Sequence, residues 1–171
     1  EKAEIDGLSL TSMSLLPDTA VGVTQHLGVS PCWLDHIPMG GVSGVVALRR
    51  AARAVQAGDA DIVACVAGDT NQIDSFRLGT STFSQFARDA VYPYGAAARP
   101  IADPIHLYDC VMPCAGGEGF LVMTRARAEE LGLAYAHILG TIERHNAFGD
   151  DVVQFRGGWA VDKDELYDMA G

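Results

Sequence analysis

His36-Ile-Pro-Met-Gly-Gly-Val-Ser-Gly-Val-Val-Ala-Leu-Arg-Arg50 continues through Ala51-Ala-Arg-Ala-Val-Gln-Ala-Gly-Asp59 into Asp61-Ile-Val-Ala-Cys-Val-Ala-Gly68, and this stretch decides the fold. It reads as strand, glycine turn, helix, glycine stop, strand. Gly40 and Gly41 admit backbone angles and close approaches that a side chain forbids. The helix they open is small and apolar on nearly every side until Arg49, so it is expected to be buried. A buried helix with a glycine-lined amino end gathers N–H groups and the positive end of its dipole at one spot, a place suited to a nucleophile, an oxyanion or a phosphate.

Outward from this stretch, the alternation of Ile5-Asp-Gly-Leu-Ser-Leu-Thr-Ser-Met13 predicts a strand, and Asp18 to Gly28 a short helix with a capping Asp and a glycine stop. The strand ending at Gly68 runs into Asp69-Thr-Asn-Gln-Ile-Asp74, a polar segment leaving a strand at its carboxyl end, where ligand sites in open α/β sheets lie. Residues 81–89 read as a short helix or a loop, Tyr92 to Gly95 as a turn, and the proline-rich 96–106 as an extended crossing. Gly116-Gly-Glu-Gly119 opens a buried strand at Phe120 to Thr124, followed by a helix from Arg125 to Gly132. Ala136 to Arg144 reads as a further strand, and a helix with acidic residues in its first turn starts at Asp162. Alternating strands and helices with apolar strand runs predict an α/β fold, a mixed sheet with a buried central helix.

Composition narrows the function. With 49% hydrophobic and 20% charged residues the chain has the makeup of a globular domain, and its 171 residues suffice for one core. A formal charge of −10 argues against nucleic acid as a partner, because phosphates are held by excess Lys and Arg. No stretch approaches the roughly 20 apolar residues that span a bilayer, and the start carries no signal-peptide pattern, so a cytoplasmic location is expected. Cys32, Cys65, Cys110 and Cys114 form neither a CxxC pair nor a zinc spacing with the histidines, so no metal is expected. Cys65, inside an apolar strand, reads as a buried structural thiol. Cys110 and Cys114 read as structural, with a disulfide or a reactive thiol as the alternative.

Three segments together resemble the thiolase superfamily. Gly40-Gly-Val-Ser-Gly-Val-Val-Ala-Leu48 with Ala57-Gly-Asp-Ala-Asp-Ile-Val-Ala-Cys-Val-Ala-Gly-Asp69 is similar to the segment in which a nucleophilic Cys precedes a small-residue helix and a following strand. Cys114 to Gly132 is similar to the thiolase "D-G-A-A-A-x-V-L" strand and its helix. Asp164 to Gly171 resembles the helix ending in "A-G" that opens the second thiolase repeat. The likeness is nearest to sterol-carrier-protein-type thiolases and thiolase-like steroid side-chain aldolases. It implies an N-terminal domain over residues 1–160, with its loop region reduced or missing near 95–99, and the truncated start of a second repeat over 161–171.

Laying Gly41-Val-Ser-Gly44 on the thiolase "C-A-T-G" puts Gly41 at the position of the acyl-accepting cysteine. The resemblance therefore implies chemistry on a coenzyme A thioester as substrate, with no tightly bound cofactor and no covalent acyl-enzyme at Gly41. Retro-aldol cleavage of a 3-hydroxyacyl-CoA fits: a base takes the hydroxyl proton and N–H donors hold the enolate oxygen. The base is expected from a C-terminal half or a partner chain. A non-catalytic acyl-CoA-binding or partner subunit is the alternative reading, and a thiolase-type acyltransferase using another cysteine a further one. The superfamily's dimers imply a homodimer or heterodimer through the strand near 33–39.

The candidate catalytic residues are Gly41, through its backbone, Ser43 and His36. Ser43 is the hydroxyl nearest the helix start and reads either as a nucleophile or as a capping or packing group. His36 reads as a base or as a dimer-contact side chain. Gly116 and Gly117 are the candidate cofactor-binding residues, giving a ligand close backbone approach, with a tight strand entry as the alternative. Glu118 reads as a solvated carboxylate or a base, and Arg49, Arg50 and Arg53 as a complement to the helix dipole or an anion site.

Overall fold

In a computed structural model of the chain, the structure describes residues 2–12, 20–69, 74, 116–145, 148–150 and 159–171. The expectations for 81–106, for Cys110 and Cys114 and for the loop near 95–99 lie outside these residues. Four strands, β1 (Gly7–Thr11), β2 (Trp33–His36), β3 (Ile62–Asp69) and β4 (Gly116–Met123), form one sheet in the order β2-β1-β3-β4. β1 runs parallel to β2 and β3, and β4 is antiparallel to β3. Four helices accompany them among the described residues: α1 (Ala20–Leu27), α2 (Ser43–Ala57), α3 (Arg125–Glu130) and α4 (Trp159–Ala170). The fold is α/β with a mixed sheet.

α2 joins the end of β2 to the start of β3. A short 3-10 turn, Gly40–Val42, leads into it, and Gly58, at φ 81° in the left-handed region, ends it. A side chain is disfavoured at that angle, which is why a glycine stops the helix here. The buried residues Ser43, Val46, Ala47, Ala51 and Ala54 make one face, as helical spacing requires. That face meets Val63 and Cys65 of β3 and Val122 of β4, with Ile37 and Ala60 closing the cluster and Trp33 packed against it.

Strand alternation assigns the rest of the sheet. Ser9, Cys65 and Asp35 are ladder partners on the α2 side, whereas Leu8, Leu10, Ile62 and Ala64 are buried on the opposite face. The Asp6 carboxylate fixes the start of β3, accepting from the Ile62 N–H at 2.8 Å and the Asp61 N–H at 2.9 Å. Thr124 caps α3 by accepting from the Arg127 N–H.

Three expectations are corrected. First, among the described residues α2 is covered on the one face that it turns to the sheet. Val42 and Val45 are 59% and 69% exposed and Gly41 and Gly44 are open, so its apolar outer face is bare among the described residues. Second, Ala136–Arg144 is not a strand. It runs between two helices: Arg49 bonds the Thr141 hydroxyl at 2.9 Å and its carbonyl, while Gly140 lies against Leu166 and Met169 of α4. Its β-like composition lacks a described strand to pair with, and pairing is what turns such a sequence into a ladder. Third, β4 begins at Gly116, earlier than Phe120, because the glycine run extends the ladder to Asp69, and α4 begins at Trp159, earlier than Asp162.

Candidate functional site at the amino end of α2

Since β1, β2 and β3 are parallel and α2 returns from the end of β2 to the start of β3, the helix begins at the carboxyl end of these strands. That end of a parallel sheet is where connecting loops build ligand sites. Because β4 is antiparallel, its first residues lie there too: Gly116 pairs with Asp69 and Gly117 with Gly68. The fold thus brings Gly41, Ser43, Gly116 and Gly117 to one end of the sheet.

Gly41 is exposed, with no atom of the described residues within 4 Å of where a Cβ would stand. Val42, the residue before α2, provides no side-chain cap for the helix. The first-turn N–H groups therefore have no side-chain acceptor from that residue. Ser43 behaves differently from either pure expectation. It is 1% exposed, accepts from the Met39 N–H at 3.0 Å and donates to the Ile37 carbonyl at 3.0 Å. Its hydroxyl is a staple across the β2–α2 turn, a packing role.

His36 is the ladder partner of Leu10, on the sheet face opposite α2, and its Nε2 is buried with no hydrogen-bond partner among the described residues. The structure does not bring it to the Gly41 side. At Gly117 and Gly119 an added Cβ would sit 3.3 Å from the Ala67 carbonyl oxygen and 3.1 Å from the Cys65 carbonyl oxygen. Tight strand pairing is thus reason enough for those glycines, while at Gly116 no atom of the described residues stands within 4 Å of an added Cβ. Glu118 pairs with Ala67 and is exposed.

The arginines at the other end of α2 are occupied. Arg50 pairs with Glu143 at 3.0 Å and Asp35 at 3.5 Å, and Arg49 lies 3.8 Å from Glu143. They bind residues 141–143 to the helix. A groove lined by Trp33, Asp35, Arg49, Arg50, Arg53 and Asp59 opens beside them, with three arginines against two aspartates. Cys65 is buried, and burial, with the Asp35 charge as a lesser cause, pushes its thiol up to about 12. A thiol held neutral in this way is a poor nucleophile.

Among the described residues no group of three or more His, Cys, Asp or Glu is placed to hold a metal ion, and no helix is long and apolar enough to cross a membrane. Sequence reasoning noted Asp69 only as part of a polar segment. It stands at the last position of β3, paired with Gly116, and accepts a hydrogen bond from Ser12 Oγ at 2.9 Å. The signal available beforehand was a carboxylate at the last residue of an apolar parallel strand.

No protein-family model matches the chain, and no curated protein matches it. Solved structures do. One is an Ltp2-ChsH2(DUF35) aldolase, 21% identical with a TM-score of 0.50, covering 76% of this chain and 47% of that one. Another is beta-ketoacyl acyl-carrier-protein synthase III (FabH) from Thermus thermophilus, 20% identical with a TM-score of 0.42, covering 71% of this chain and 30% of that one. The chain spans less than half the length of either protein. Its fold is thiolase-like.

Proposed function

We propose that the chain is part of a protein acting on acyl-CoA thioesters by non-covalent carbon–carbon bond chemistry, the retro-aldol cleavage of a 3-hydroxyacyl-CoA. The observation that carries this reading is the amino end of α2. It lacks a side-chain cap, opens at a glycine where the resemblance expects a cysteine, and stands at the carboxyl end of three parallel strands. Donors and dipole at such an end stabilise a developing thioester enolate oxygen without forming a bond to it. The Ltp2-ChsH2(DUF35) structure is that of an aldolase, and the reading gives this chain the same class of reaction.

In the reaction a base accepts the proton of the 3-hydroxyl, and the oxygen's electron pair forms the new carbonyl. The bond between the second and third acyl carbons breaks, its electrons pass into the thioester enolate, and the enolate is protonated at carbon. Ser43 supports the turn that presents Gly41 and forms no acyl-enzyme. Gly116 leaves room beside the ligand.

The reading includes a dimer contact at β2, which is an outer strand of the described sheet with one backbone edge unpaired there. Sedimentation of the full-length protein, with and without candidate partners, tests that part. For the reaction itself, incubation of the full-length protein with 3-hydroxyacyl-CoA should release an aldehyde or ketone together with the shortened acyl-CoA. Thioester binding measured by calorimetry without release would instead support the non-catalytic reading.

A further inference from the structure

We draw no further inference here: the strongest candidate, the exposed apolar surface that Val42 and Val45 present along the first turn of α2, adjoins the site already described, and nothing in the structure shows what covers it.

Discussion

Replacing Ser43 by alanine separates the two roles open to this hydroxyl. The side chain joins Met39 N–H to the Ile37 carbonyl through two hydrogen bonds of 3.0 Å, within a residue 1% exposed. Alanine removes both bonds and leaves a donor and an acceptor facing an apolar methyl. Water has little access beneath Ile37, which is itself fully buried. A net hydrogen bond contributes about 1 kcal/mol, and a stranded buried partner raises the loss, so the pair is worth about 2–3 kcal/mol. For a chain of this size that is a fall in melting temperature of about 5–10 °C. Urea unfolding of the full-length protein should show a lower midpoint with an unchanged slope. Any thioester cleavage should persist in the variant at temperatures where it remains folded. Unaltered stability, or abolished cleavage with unaltered stability, would refute the staple and restore Ser43 as a nucleophile.

Three further outcomes follow from the packing and the charges. A Cβ at Gly7 would stand 2.7 Å from Val63 Cγ2, a side chain with no exposure, so Gly7→Ala should cost about 1–3 kcal/mol in denaturant unfolding; an increase in stability would contradict the close approach of β1 to β3. Hydrogen bonds from His145 and then Arg50 hold the Glu143 carboxyl below its ordinary value of 4.5, so its contribution is complete above that pH and lost as the pH falls through the lower folded value. Glu143→Gln should flatten the acid side of the stability profile, and an unchanged acid slope would argue against the clasp. Cys65, pushed up to about 12 by burial, should resist alkylation near pH 8 until denaturant is added, whereas exposed Cys32 should label first; peptide mass spectrometry reads both, and rapid native labelling of Cys65 would contradict the packing beneath α2.

The β2–α2–β3 unit was legible because each of its boundaries carries local chemistry. Gly40-Gly41 marks the start of the helix, Gly58 stops it in a left-handed conformation, and Ile62 to Gly68 has the apolar continuity of a strand covered on both faces. The extent to which the described residues cover α2 was not legible. Val42, Val45 and Gly44 have the composition of a covered helix, yet composition reports what a surface tolerates, and only the arrangement of other elements determines whether it is covered. Ala136–Arg144 fails for the same reason. Its residues suit a pleated ladder, but strand formation requires a neighbour with unpaired backbone groups, and this segment meets Arg49 and α4 instead.

The candidate site divides along the same line. Gly41 and Gly116 were read as open backbone because glycine is a statement about backbone space, and no described atom stands within 4 Å of a Cβ built at either. The direction of a hydroxyl or an imidazole is set by register. His36, a few residues before the turn, is near Gly41 in sequence but lies beyond the sheet from it, because one step of alternation separates it from Asp35, whose carboxylate faces Arg50. Gly116 is 75 positions from Gly41 in the chain, yet its pairing with Asp69 puts it at the end of the sheet where the helix begins. A sheet with one return helix therefore exchanges sequence neighbours for ladder neighbours, and register, not proximity in the chain, decides which residues share the end of the sheet at which α2 begins.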